Sequence, residues 1–263
     1  MKKSVMVGPA FSNPGDLRAF VQRIYYYFDG LSPENIFLPI DRGLSRAAAT
    51  EALAGAHLGE YPLRKALTAR AYGGIRDSFQ LVSDEPDSLK AAAASADLVL
   101  IWDNSSIGAD PWKSILSQYR RNQTWFDVDF RKSRSDGAWF VNASNLIARD
   151  ERNFQPHLEV FERLCSTIGD RNVARLVATG PSIQDVKSLK TSDTAFIIAC
   201  NTIAVNSDLM DRLRPEVLTF ADPVYHFGPS VYVEKFHHVV QRATAEYGTF
   251  IVTTDRYAEW LRR

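Results

Sequence analysis

Cysteine is scarce in this chain. The 263 residues hold two, Cys165 and Cys200, too few for a disulfide framework, and no CxxC pair or Cys/His cluster points to zinc. An excess of charge of either sign is also missing. Lys+Arg and Asp+Glu each number 31, so the formal net charge is zero. The balance holds in each half: residues 1–150 carry 18 basic and 17 acidic groups, leaving 13 and 14 for residues 151–263. Neither half has the basic excess of a nucleic-acid binder, so no nucleic-acid partner is expected. No run approaches the ~18 apolar residues of a membrane span. The first residues, MKKSVMVGPAF, have their short apolar run broken by Gly8 and Pro9 and are read as a first strand, not a signal peptide. A cytoplasmic protein is therefore expected. Repeats and low-complexity tracts are absent, as are GxGxxG and the Walker lysine, which leaves NAD and ATP motifs without support.

What remains is ordinary globular material, with 45% hydrophobic and 24% charged residues. Short apolar runs alternate with helical patterns. Strands are expected at 4–7, 35–40, 79–82 and 97–102, the last (DLVLIW) continuous enough for a parallel strand covered on both faces. Further strands are expected at 125–130 and 139–141. Helices are expected over 14–28, where Leu17, Phe20, Val21, Ile24 and Phe28 recur at helical spacing, and over 45–56, 87–96 and 111–119. After an amphipathic helix at 153–169 the alternation resumes. Strands are expected at 175–179, 194–200, 216–220 and 249–253, with helices at 183–189, 207–213 and 231–246 and another starting at 257.

Alternating strand and helix argues for parallel sheets with crossover helices. The expected organisation is an α/β chain with two Rossmann-like domains facing each other: an N-terminal domain over 1–152, a connecting helix over 153–172, and a C-terminal domain over 173–263. The second is short for such a domain, as if the sequence were incomplete.

In open parallel sheets, ligands bind outside the carboxyl ends of the strands. In the second half those ends carry Gly180-Pro181-Ser182, then Asn201-Thr202, then Asp222-Pro223-Val224-Tyr225-His226, then Thr254-Asp255. Glycine lets backbone approach a ligand, and a serine hydroxyl with free amides can hold a phosphate or simply cap a helix. Asn201 can pair with a base or ribose, or close a turn. Asp222 ends an apolar strand and precedes a proline, so its carboxylate can serve as nucleophile or base, or form an Asx-turn. Tyr225 and His226 add a phenol and an imidazole. His237 and His238 sit mid-helix and are read as solvated or packed.

The ordered segments LVATGPSIQDV, IIACNTIAVNSDLM and LTFADPVYHFG resemble the donor-binding half of bacterial glycosyltransferases that use CMP-sugars. The resemblance covers roughly residues 173–255. It is nearer to the retaining β-Kdo transferases of lipopolysaccharide O-antigen and capsule synthesis, and more distant from the bacterial sialyltransferases. It implies a GT-B-like pair of domains. It implies that Gly180, Pro181 and Ser182 lie at the CMP phosphate or ribose and that Asn201 contacts the cytidine portion. Asp222 would stand at the anomeric carbon as nucleophile, with Tyr225 or His226 neutralising the departing phosphate. Two departures matter: later donor-site elements of the family are missing, and no general base is matched by motif in the first half.

The acceptor would then bind the first half. Candidates there are Asp41-Arg42, the Asp103-Asn104-Ser105-Ser106 run after the strongest strand, and Asp127 with Asp129, which alternation places on one strand face. Arg131, Lys132 and Arg134 follow closely and are read as a solvated loop. Trp102, Trp112, Trp125, Trp139 and Tyr25–Tyr27 suit sugar stacking but equally a core. The expected activity is thus transfer of an acidic sugar, Kdo foremost, from a CMP-sugar to a glycan acceptor. No cofactor beyond the co-substrate and no metal are expected, and peripheral association with membrane-bound glycan assembly fits such a role. The rivals are a pterin diphosphokinase-like enzyme, which shares the GPS loop and would use ATP and Mg²⁺, and a non-catalytic nucleotide-binding module.

Overall fold

The computed structural model describes residues 2–28, 30–56, 75–103, 107–119, 123–125, 135–148, 158–180, 194–221, 226–228, 233–254 and 257. The chain divides into two compact units, Met1–Ala148 and Arg149–Ala258. Each unit is an α/β sheet built of parallel strands.

The first unit is a five-stranded sheet of order β3-β2-β1-β4-β5. Its strands are β1 (Val5–Gly8), β2 (Ile36–Ile40), β3 (Phe79–Ser83), β4 (Leu98–Ile101) and β5 (Gln123–Trp125). Local sequence sets where its helices start. Asn13 caps α1 (Pro14–Tyr27), its Oδ1 accepting the Asp16 amide at 2.8 Å, with Pro14 at the first turn. Ser45 caps α2 (Arg46–Gly55) through the Ala48 amide at 3.2 Å. Pro86 opens α3 (Pro86–Ala94), and α4 (Trp112–Tyr119) and α5 (Ser135–Ala148) follow.

The reversal of direction between β1 and β4 sends the crossovers to opposite faces. α1 packs with α2 and α5. α3 and α4 cover the other face, where Met6, Leu89, Val99, Ile101, Trp112 and Ile115 form a buried cluster. Val5, Val7, Leu98 and Leu100 are buried as well, so the central strands are apolar on both sides.

One expectation is overturned here. Residues 139–141 form part of α5, not a strand. A short apolar run does not distinguish a strand from a buried helical segment. Tertiary packing decides: Trp139, Phe140, Val141, Ala143 and Ser144 are all buried, and the Trp139 indole donates to the Ile101 carbonyl. The expected helix at 183–189 and strand residues 126–130 lie outside the described residues.

The second unit begins with α6 (Leu158–Ile168) and holds a four-stranded sheet of order β6-β7-β8-β9. Its strands are β6 (Val173–Val177), β7 (Ala195–Cys200), β8 (Val217–Phe220) and β9 (Phe250–Thr253). A 3-10 turn, Asn201–Val205, leads into α7 (Ser207–Leu213), and α8 (Val233–Glu246) precedes β9. Spatial order equals chain order. Ala195, Ile197, Ala199, Leu218 and Phe220 are buried on one face, where Phe236 of α8 meets Phe220. The opposite face is more open, with Leu176 67% and Val252 42% exposed. Beneath the amino ends of the strands, the carboxylate of Glu216 pairs with Arg171 and accepts the Ile197 amide at 2.8 Å. Arg171 in turn donates to the Ile168 and Thr167 carbonyls at 2.9 and 2.7 Å, tying α6 to the sheet.

Candidate functional site

All strands of the second sheet run the same way, so their carboxyl ends share one edge. The register aligns those ends: Val177 pairs with Ala199, Cys200 with Thr219, and Phe220 with Thr253. Beyond those ends, in strand order, come half-buried Gly180, three residues past Val177, then half-buried Asn201, Ala221 and exposed Thr254. Asp222 comes next after Ala221, and Pro181 and Ser182 next after Gly180; these three, with Tyr225, lie outside the described residues.

Asn201 is held in the left-handed region, φ 50°. Asparagine tolerates that region better than other side chains bearing a Cβ. The turn takes the backbone away from the ladder into the 3-10 turn. The Asn201 side chain stays with the sheet, its Oδ1 accepting the Ala221 amide at 3.5 Å. From the other side, the Thr253 hydroxyl donates to the Phe220 carbonyl at 3.0 Å. Nothing in the sequence distinguished Thr253 from an ordinary β-prone residue; its partner is visible only once β9 is placed beside β8. Cys200, one residue before Asn201, has its thiol pushed up by burial, which favours the neutral form.

His226 is 5% exposed and packs in an aromatic cluster. Its ring centroid is 4.8 Å from that of Phe236 and 5.5 Å from that of Phe220. Phe220 also meets Phe227 edge-on at 4.9 Å. His226 is thus seated among core rings, which ties the chain just beyond residue 225 to the strand just before it. His237 lies edge-on to Phe227 at 5.3 Å, and His238 is exposed.

The carboxyl edge of the first sheet is built differently. Its switch point lies between β1 and β4, where doubly wound sheets place a crevice. There the Phe11 ring stacks on Trp102, with centroids 5.0 Å apart and an interplanar angle of 6°. The Trp102 indole donates to the Pro9 carbonyl at 2.9 Å and its amide to the Gly8 carbonyl at 2.8 Å. Trp112 and Trp139 are buried, as are Tyr25 and Tyr27, so these aromatics serve packing. Asp103 follows the stack and is half-buried, while Asn104 lies outside the described residues. Asp41 closes a turn by accepting the Gly43 amide at 2.7 Å, and Arg42 pairs with Glu85 at 2.6 Å on the surface. Asp127, Asp129, Arg131, Lys132 and Arg134 lie outside the described residues.

Among the described residues, no group of three or more His, Cys, Asp or Glu side chains is placed to hold a metal ion, and no helix is long and apolar enough to cross a membrane. Comparison of the chain with protein-family models, with curated proteins and with solved structures finds no match.

Proposed function

We propose that this chain transfers an acidic sugar, Kdo foremost, from its CMP-activated form to a glycan acceptor. The observation that carries the reading is the row of strand ends in the second sheet. Gly180, Asn201 and the Ala221 that precedes Asp222 follow adjacent parallel strands in chain order. The strands that open the three sequence segments resembling a CMP-sugar donor site are neighbours in one parallel sheet, which supports the reading. In this reading the second unit is the donor half and the first the acceptor half of a GT-B-like enzyme. Gly180, Pro181 and Ser182 receive the phosphate or ribose, and Asn201 lies beside the cytidine portion.

The chemistry proposed is double displacement. The Asp222 carboxylate attacks the anomeric carbon, the bond to the phosphate oxygen breaks, and CMP departs with that electron pair. An acceptor hydroxyl then attacks the glycosyl-enzyme, losing its proton to a base and releasing Asp222. Tyr225 or His226 is proposed to steady the departing phosphate; His226 is buried beside Phe220 and Phe236.

Mass spectrometry of the protein incubated with CMP-Kdo and no acceptor tests this. The expected result is a sugar adduct on the peptide holding Asp222, with Asp222→Asn abolishing transfer while retaining CMP. An adduct elsewhere, or an active Asn variant, removes Asp222 from that role. Binding of ATP–Mg²⁺ and not of CMP would replace the reading with a diphosphokinase-like one.

A further inference from the structure

The two side-chain hydrogen bonds at the end of β8 converge on a single group. The Phe220 carbonyl and the Ala221 amide belong to the same peptide plane. Thr253 of β9 donates to its oxygen at 3.0 Å, and Asn201 of β7 accepts from its nitrogen at 3.5 Å. Backbone pairing on the β7 side reaches Cys200↔Thr219 and no further, because Asn201 turns into the 3-10 turn. The Asn201 amide oxygen then takes the place of the next strand carbonyl, and β8 stays gripped one step longer than the ladder extends. The Phe220 ring is fixed as well, among Phe227, His226 and Phe236.

We propose that Asn201 and Thr253 are positioning residues that clasp the Phe220–Ala221 peptide from both sides, and so fix where the chain departs toward Asp222. The clasp is a feature of the described residues alone; that it serves catalysis rests on the glycosyltransferase reading above. A reacting carboxylate gains from such a support, because an ångström of misplacement costs rate far more than it costs binding.

Amide exchange at Ala221, measured by NMR, reads the clasp directly. Asn201→Gly keeps the left-handed backbone and removes the acceptor; Thr253→Val keeps the shape and removes the hydroxyl. Asn201→Gly, which removes the acceptor of that amide, is expected to speed exchange at Ala221 about five- to tenfold, and Thr253→Val, which acts through the carbonyl of the same peptide, about twofold. Asn201→Asp and Thr253→Ser, which keep the hydrogen-bonding atoms, should stay close to wild type. The double variant Asn201→Gly/Thr253→Val should show less than the product of the single effects, because both bonds act on one plane. Unchanged exchange in either single variant, or a multiplicative double variant, overturns the clasp.

In transfer from CMP-Kdo, Thr253→Val should lower kcat about ten- to a hundredfold with CMP affinity unchanged, and Thr253→Ser should restore it. Full kcat in Thr253→Val, with exchange accelerated, would leave the clasp as architecture and overturn its positioning role. If the wild-type protein neither binds CMP nor transfers sugar, the glycosyltransferase reading and the catalytic role both fall, while the exchange data still decide the clasp.

Discussion

Gly8 ends β1 with the Trp112 indole close against it. A Cβ built there would lie under 3.0 Å from two atoms of the Trp112 ring, Cη2 and Cζ3, and 3.0 Å from a third. Gly8 does not adopt a positive φ, so the demand is for space and not for backbone freedom. The ring cannot easily yield. Trp112 is 5% exposed, opens α4 and belongs to the cluster with Met6, Ile101, Ile115 and Leu116. Overpacking of this kind costs about 1–3 kcal/mol, and a rigid indole held by a helix belongs at the upper end. Alanine returns about 0.4–1 kcal/mol by restricting the unfolded chain. Gly8→Ala should therefore destabilise the first unit by about 2 kcal/mol, a fall in Tm of about 4–8 °C for a unit of this size. Urea denaturation followed by tryptophan fluorescence measures it. Trp112→Phe removes the clashing ring atoms and alone should cost about 1–2 kcal/mol through the cavity it leaves. Combined with Gly8→Ala, the loss should fall short of the sum by about 1 kcal/mol, because the new methyl occupies the vacated space. A Gly8→Ala protein as stable as wild type, or strict additivity in the double variant, refutes the reasoning.

Three further outcomes are expected. Glu216→Ala removes the ion pair of Arg171, which keeps its two carbonyl bonds, and leaves the Ile197 amide without this acceptor, so the second unit should lose about 1–3 kcal/mol in urea titration, and Glu216→Gln, which keeps an acceptor, clearly less. Because Glu216 lies at the amino ends of the strands, CMP affinity measured by calorimetry should not change in either folded variant. Gly180→Val should abolish CMP binding with the fold kept, since a branched side chain would fill the place of closest backbone approach; unchanged affinity would take the GPS loop out of the site. Iodoacetamide should label exposed Cys165 well before half-buried Cys200, whose raised thiol pKa keeps it protonated as the pH climbs through the usual thiol range. Cys200 reactivity should rise only at higher pH, and equal labelling of the two at neutral pH would contradict its desolvation.

Local chemistry made the helix starts legible. The helices expected from 14 and 45 start there because Asn13 and Ser45 cap them, and an oxygen three residues ahead of an amide is a short-range device that needs no partner from elsewhere. The run that became β4 was legible through its strand-like length between Asp97 and Asp103, and Leu98, Val99, Leu100 and Ile101 are all buried, as a strand covered on both faces requires. The run Trp139-Phe140-Val141 carried no such signal, because a helix sunk in aromatic neighbours and a buried strand ask for the same residues. Its identity depends on contacts with Phe20, 5.6 Å from Trp139 and 5.2 Å from Phe140, which are distant in sequence. Thr253 was illegible on the same grounds. A threonine at a strand end is good β-sheet material whatever its hydroxyl meets, and its partner Phe220 lies 33 residues away.

Strand order is the deeper reason why the two sheets present such different edges. Order β3-β2-β1-β4-β5 reverses direction once, and the loops on either side of that reversal part to leave a crevice. Here Phe11 and Trp102 stack in it, and an indole N–H and a backbone amide are spent on the carbonyls of Pro9 and Gly8. At these described residues, polar capacity and apolar surface are taken up together within the fold. The second sheet never reverses, so the ends of β7, β8 and β9 lie side by side in chain order. That geometry lets Asn201 and Thr253 grip one peptide from opposite sides, which a reversal between β7 and β8 or between β8 and β9 would forbid.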